Sequence, residues 1–371
     1  MMDIAVIIPL FNGAKWIRQT LESVFSQSHL PREVVVVDDG STDKSLEILQ
    51  DFPHVKLLRS PDKGGPAARN FGLQQTTAPL VAFLDQDDIW HPDHLRLLSG
   101  LLCQYPQYPA AVAMMLSFED NLVFPHPVLD EYPLDFWSTF PRNSIGGPSP
   151  ILIRRTALDS IGGWPTKFST SAFYAWLRLS ANHPFMQNRS FTVGYRQHDQ
   201  SHSYRLRKQC SFYDEQIEAL EDALPYRIMA QPQEEKELRK RLDTWFILSD
   251  LLKAIVNCDY TLLEKYALIL EDNLSDFSTE FSESLCQSLV FWNLVPVWRY
   301  DSLQQQQQLI ETLLEHWPKK AERTRQIIRS LTQQIAPRKA FIKYLLHRPF
   351  SWKRWIVFSE IIFNLSPTPN P

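Results

Sequence analysis

The sequence predicts an α/β fold, with a mostly parallel sheet and helices on both of its faces, followed by an α-helical C-terminal region. Three observations lead there. Short apolar runs alternate with segments of helical period through the first hundred residues, the pattern of repeated strand–helix units. The apolar runs are continuous rather than alternating, as in strands covered on both faces. Glycine then stops at Gly194, and Leu, Glu, Gln and Lys take over, with apolar residues such as Trp245, Leu248, Leu251, Leu252 and Ile255 at helical spacing. The expected organisation is one domain over residues 1–204 and a helical region over 205–371.

The elements follow in order. Residues 4–10 form a buried strand, and Trp16, Ile17, Leu21, Val24 and Phe25 mark the helix after it. Residues 34–37 are a second strand, after which Ser41-Thr42-Asp43 supplies helix-starting side chains for 44–50. Residues 55–58 are a third strand. Gly64-Gly65-Pro66 opens a helix through Leu73, with proline suited to a first turn. A fourth strand, 80–84, ends in Asp85-Gln86-Asp87-Asp88, and 92–102 is helical. In open sheets of this kind ligands bind beyond the carboxyl ends of the strands. The polar residues in those places are Asn12, Asp38-Asp39 and the four from Asp85 to Asp88, so the chemistry is expected on one rim.

Composition bounds the alternatives. The chain has 371 residues, 44% hydrophobic and 22% charged, which excludes a disordered or fibrous protein. A net charge of −4 excludes a generic nucleic-acid binder. Between residues 319 and 354 there are eleven Lys or Arg and one acid, Glu322, a local net charge of +10; the remainder carries −14. The four cysteines, Cys103, Cys210, Cys258 and Cys286, are far apart and make no zinc spacing. A reducing, cytoplasmic setting is expected. No basic leader precedes the first apolar run, and no window reaches the length of a transmembrane helix.

Three carboxylates within four residues at a buried strand end repel one another unless a cation balances them. Hard divalent ions such as Mg²⁺ or Mn²⁺ take oxygen ligands, with one or two protein carboxylates and phosphate oxygens completing the shell. A solvated acidic loop is the alternative.

Four segments in fixed order, VIIPLFNGAKWIRQTLESVFSQS, VVVVDDGSTDKSLEIL, GGPAARNFGL and LVAFLDQDDIWHPDHL, resemble the inverting family 2 glycosyltransferases of the GT-A fold. The likeness covers about residues 3–105, continues through ILIRRTALDSIGGW and YRQHDQSHS, and stops near residue 205. It implies a nucleoside-diphosphate sugar as donor, a glycan or lipid-linked hydroxyl as acceptor, and a divalent metal. By position, Pro9 and Asn12 line the nucleotide pocket, Asp39 receives the base with Asp38 in support, Arg69 faces the base and diphosphate, and Asp85 lies near the ribose. Asp87 holds the metal, Asp88 supports the same site, and His198 is the late histidine near metal and diphosphate.

One departure stands out. Family members carry a Glu-Asp pair in the helix after the Gly-Gly-aromatic segment, and its aspartate is the general base for the acceptor hydroxyl. Here Gly162-Gly163-Trp164 is present, but the pair falls on Ser171-Ala172, and no Asp or Glu occurs between Asp159 and Asp199. Three readings follow. Another carboxylate substitutes, from among Glu119, Asp120, Asp130, Glu131, Asp135 and Asp199, with Glu119 and Asp120 favoured because they end an apolar run. A histidine, His183 or His198, substitutes. Or the protein is a binding or scaffold protein that holds donor without transferring sugar. The aromatic-rich stretch 117–150 reads as an acceptor wall or as an ordered loop over the sheet, and 143–148 as a break that could act as a lid. At the C-terminal end, 337–365 interleaves basic and aromatic residues, which suits either an anionic membrane surface or packing within a helical domain. No motif there reads nucleic acid.

Overall fold

The computed structural model describes residues 2–119, 121–128, 130–137, 143–167, 171–201 and 215–227, together with isolated helical positions between 236 and 326. The chain divides into two compact units, Met1–Leu242 and Asp243–Pro371. In the second unit the described positions, from Ile247 to Gln326, are helical. The basic end and the 337–365 stretch lie outside the described residues.

The first unit is built on nine strands. In chain order they are β1 (Ile4–Leu10), β2 (Glu33–Asp38), β3 (Val55–Arg59), β4 (Leu80–Phe83), β5 (Ile89–Trp90), β6 (Ala110–Phe118), β7 (Glu131–Leu134), β8 (Ile151–Arg154) and β9 (Phe185–Arg196). The helices are α1 (Ile17–Phe25), α2 (Ser45–Leu49), α3 (Gly65–Gln74), α4 (His94–Gln104), α5 (Arg155–Ser160), α6 (Ser171–Leu179) and α7 (Glu215–Ala223). The strands run in the order β3-β2-β1-β4-β8-β6-β9-β5, with β7 also paired to β9.

The four strands expected from the apolar runs are all parallel, β1 pairing with β2 and β4, and β2 with β3. From β4 onward the sheet is mixed. β8 runs antiparallel to β4 and β6, β6 is parallel to β9, and β5 and β7 are antiparallel to β9. The parallel half thus brings the carboxyl ends of β1, β2 and β4 to one edge, as the strand–helix repeat requires.

Alternation along β1 shows why its sequence is apolar throughout. Ile4, Val6, Ile8 and Leu10 enter one core with Ile17, Leu21 and Val24 of α1 and Leu95, Leu98 and Leu102 of α4. Ile7 faces the other side, against α3. There Gly72 is pressed on the sheet: a Cβ at this position would lie 2.6 Å from Ile7 Cγ2 and 3.1 Å from Val37 Cγ2. Glycine is what lets α3 approach so closely. On the same side Phe83 packs edge-on against Trp164 at 4.8 Å.

Several elements carry no clear pattern in the sequence. β5 is two residues long. β9 is the longest strand, yet Gln187, Asn188, Ser190 and Thr192 along it are buried polar residues. Their partners come from neighbouring segments: the Ser190 hydroxyl donates to the Val128 carbonyl, and Thr192 Oγ1 pairs with His94 Nδ1. Among the described residues no helix is long and apolar enough to cross a membrane.

Candidate active site

The loop after β1 carries the one described non-glycine residue of positive φ, Asn12 (φ 50°). Asparagine tolerates this left-handed conformation. Its Oδ1 accepts the Thr42 N–H at 2.8 Å, and its own N–H donates to Ser41 Oγ at 3.0 Å. Asn12 therefore stitches the loop after β1 to the loop after β2. Asp38 closes that second loop from inside, accepting the N–H groups of Gly40 and Ser41. Asp39 Oδ2 accepts the Gly64 N–H at 2.8 Å, at the entry to α3. Its other oxygen, Oδ1, is buried without a hydrogen bond, and the nearest cation, Lys63 Nζ, stands 3.9 Å away. Pro9, partly buried, pairs in register with Val37 one strand over.

Arg69 lies in the first turns of α3 and is almost fully buried. Its Nη2 donates to Asp85 Oδ1 at 2.5 Å, and its guanidinium lies 5.0 Å from the Trp164 ring centroid. Its Nε is buried without a partner. Asn70, the next residue, grips the Trp164 backbone twice, through Nδ2 to the carbonyl and Oδ1 from the N–H.

The acidic loop after β4 splits into three roles. Asp85 pairs with Arg69. Asp87 Oδ2 lies 2.7 Å from His198 Nε2, and the His198 ring is stacked on Trp16 at 4.1 Å. Asp88 turns inward: it is 1% exposed, accepts the Ser149 hydroxyl at 2.6 Å and accepts the Arg196 N–H at 3.0 Å. Burial, with the charges of Asp87 and Asp85 beside it, pushes the Asp88 carboxyl well above the usual carboxylate range. Both its oxygens are engaged within the protein, so Asp88 holds the loop's shape. Gln86, between the acids, exchanges two hydrogen bonds with the Phe11 backbone. Thr20 of α1 donates to the Gln86 and Asp88 carbonyls.

A divalent metal fits this rim in a limited way. Among the described residues no three His, Cys, Asp or Glu side chains converge as a self-sufficient ligand set. A Mg²⁺ or Mn²⁺ on a diphosphate needs only one or two protein ligands, the rest coming from phosphate and water. Asp87 and His198 meet that lower demand, and the unpartnered His198 Nδ1 leaves the ring free of a second tether.

The expected position of the base is apolar packing. Ser171 is buried and its Oγ accepts the Trp164 indole N–H at 2.9 Å. Ala172 is partly buried beside it. Of the alternatives, Glu119 is exposed just after β6, with its carbonyl 3.4 Å from Arg196 Nη1. Since β6 and β9 are parallel and Phe118 pairs with Arg196, Glu119 lies at the same sheet edge as His198. Asp120 lies outside the described residues. Asp130 pairs with Arg189, and Asp135 accepts the Trp137 N–H. In the aromatic-rich stretch, Phe136 and Trp137 are core residues. The 143–148 segment is tied down, with Asn143 accepting the Ile145 and Gly146 N–H groups and Trp176 Nε1 donating to the Gly146 carbonyl. Arg196 and Gln86 were not singled out by sequence reasoning. Only their adjacency to His198 and to the acids pointed to them.

Residues 5–162 match the family described as Glycosyl transferase family 2. An uncharacterized glycosyltransferase of Escherichia coli, YibD, is 40% identical over 93 residues, 24% of this chain and 27% of that protein. The matched segment spans less than half the length of the other curated relatives as well. Among solved structures, Staphylococcus aureus TarS 1–349 in complex with UDP-GlcNAc has a TM-score of 0.52 at 16% identity, covering 90% of this chain and 92% of that one. A mannosyltransferase from Pyrobaculum calidifontis, PcManGT, in complex with GDP-Man and Mn²⁺, has a TM-score of 0.51 at 18% identity, covering 85% and 89%. These likenesses show the fold: the first unit is a GT-A type α/β domain that resembles the glycosyltransferases.

Proposed function

We propose, from a chain whose residues 5–162 carry a glycosyl transferase family 2 domain, that the protein moves a sugar from a nucleoside-diphosphate sugar to a hydroxyl of a glycan or lipid-linked acceptor, with inversion and with a divalent metal. The observation that carries the reading is the convergence of two side-chain pairs on one rim, Arg69–Asp85 and His198–Asp87.

In this reading Asp39 receives the base through its unpartnered Oδ1, with Asp38 and Asn12 fixing the loops around it and Pro9 beneath. Arg69 faces the diphosphate, its buried Nε and planar fork suited to phosphate oxygens. Asp87 and His198 hold the metal, which supplies positive charge to the leaving diphosphate. Asp88 keeps Asp87 in place. Glu119 takes the proton from the attacking hydroxyl in place of the absent aspartate. A second reading, donor binding without transfer, is favoured by Ser171 and Ala172 at the base position. The protein works in the cytoplasm, and 337–365 meets an anionic membrane surface where a lipid-linked acceptor would be found.

The test is calorimetric titration of the full chain with UDP and GDP, with and without Mn²⁺, and with Asp87→Ala as control. Metal-strengthened binding of one nucleotide, lost in the variant, is the expected result. No binding of either nucleotide, or equal binding by the variant, overturns the reading.

A further inference from the structure

We infer that Arg196 is a positioning residue that sets the place of Asp87 and His198, and so controls how strongly a metal assists nucleotide binding; this rests on the donor-site reading above.

Arg196 closes β9 and is 7% exposed. Its guanidinium reaches three segments, adding to the bonds that Thr20 makes between α1 and the acidic loop. Nε donates to the Asp87 carbonyl at 2.9 Å, Nη2 donates to Gln19 Oε1 on α1, and Nη1 approaches the Glu119 carbonyl after β6 at 3.4 Å. The group lies 4.4 Å from the Phe118 ring centroid, so its plane is fixed by packing as well as by hydrogen bonds. The Arg196 main chain adds a fourth tie, its N–H donating to Asp88 Oδ1. Two residues on, His198 Nε2 lies 2.7 Å from Asp87 Oδ2.

The consequence is mechanical. Asp87 is bracketed by β9: its carbonyl is held by residue 196 and its carboxylate faces residue 198. The two candidate metal ligands come from loops far apart in sequence, and besides their own contact Arg196, at the end of β9, bonds the Asp87 main chain. Groups outside the ligand set that orient the ligands typically govern metal affinity. The charge matters too, because a buried cation offsets repulsion among Asp85, Asp87 and Asp88. Lysine keeps the charge but not the fork, since one ammonium cannot reach donors' partners on α1, the acidic loop and β6 from a single nitrogen.

The experiment is calorimetric titration of the full chain with the nucleotide that binds, UDP or GDP, with and without Mn²⁺, for the wild type, Arg196→Lys, Arg196→Met and Gln19→Leu. The quantity read is the ratio of affinities with and without metal. We expect that ratio to fall about tenfold or more in both Arg196 variants, while metal-free affinity changes less than about twofold. Gln19→Leu, which removes one partner from an exposed helix position and so spares folding, is expected to lower the ratio by a smaller factor. Thermal unfolding checks that each variant is folded. An unchanged ratio in folded Arg196→Lys and in Gln19→Leu overturns the inference. So does a parallel loss of affinity with and without metal, which is what a merely structural role produces. A wild type with no metal-dependent gain overturns the donor-site reading itself, and the inference with it.

Discussion

The two halves of the sheet are built on different principles. In the parallel half, the buried strands β1, β2 and β4 end beside charged or strained residues, so these three strand ends bring the candidate groups to the rim, while β3 forms one edge of the sheet. In the mixed half, β5 to β9, the strands range from two residues in β5 to the mostly apolar nine of β6 and the partly polar twelve of β9, and the rim is made of ties: Arg196, Ser149, Trp164 and Trp176 join segments to one another. In the donor-site reading Asn12, Asp39, Arg69, Asp85 and Asp87 sit in the first half, and His198 joins them from the loop after β9 in the second. The position where the family carries its base sits in the second, where Ser171 serves Trp164 as a hydrogen-bond acceptor. A site of this kind can keep its nucleotide-side groups while the segment at the base position changes, because Ser171 and Ala172 belong to α6 and none of the nucleotide-side groups does.

The largest expected effect tests that separation. Glu119→Gln should cut turnover by about 100-fold or more, the scale of lost general-base assistance, with nucleotide affinity unchanged. Turnover is read as release of nucleoside diphosphate from a nucleotide-sugar. Ala172→Asp in the Glu119→Gln background should recover part of the loss by returning a carboxylate to the family's position. An unaltered rate in Glu119→Gln removes Glu119 from the mechanism.

What the sequence made legible follows the same division. β1, β2 and β4 were readable because burial on both faces demands continuous apolar runs, and the rim acids because carboxylates at buried strand ends need a reason; β3 was readable from its short apolar run although it is a half-exposed edge strand. The resemblance to family 2 glycosyltransferases implied that Asp87 and His198, residues 111 apart, act together, and in the fold their side chains lie 2.7 Å apart. Asp88 could not be told from Asp87 by sequence, because adjacent acids differ only in which way the turn points them. β9 was unreadable for another reason. Its buried Gln187, Asn188, Ser190 and Thr192 look like loop residues until their partners arrive from segments distant in the chain. The inward-facing aromatics Phe136 and Trp137 were equally ambiguous, since an aromatic suits a sugar face and a core alike.

Close packing in the parallel half gives a smaller, two-sided effect. Gly72→Ala places a methyl 2.6 Å from Ile7 Cγ2. Helix propensity favours alanine by about 1 kcal/mol, while overpacking costs about 1–3 kcal/mol, so a net loss of up to ~2 kcal/mol is expected. Gly100→Ala on α4 meets nothing within 4 Å and should stabilise by up to ~1 kcal/mol. Urea denaturation decides both; equal stability changes at the two glycines would show that α3 is not pressed against β1 as described.

Histidines after α1, after β5 and on α4, together with Asp88, carry the pH sensitivity. His94 is fully buried, stacked on Trp90 at 4.6 Å, with Nδ1 paired to Thr192 and Nε2 without a partner. Burial, helped by the charge of nearby His91, lowers its pKa from 6.5 to about 3. The unfolded chain therefore takes up a proton near pH 6.5 that the folded chain refuses until about pH 3, so stability is full above 6.5 and is lost as pH falls below it. His29 and His91 are lowered as well, also by burial first, and add to the same slope. Asp88 opposes it, because a carboxyl raised in the fold binds its proton more tightly there than in the unfolded chain. Melting temperatures between pH 7 and pH 4.5 should fall more in the wild type than in His94→Phe, and more steeply still in Asp88→Asn. Identical slopes in the wild type and His94→Phe would mean that the imidazole is solvated, and that the packing of α4 against β9 is looser than its buried histidine requires.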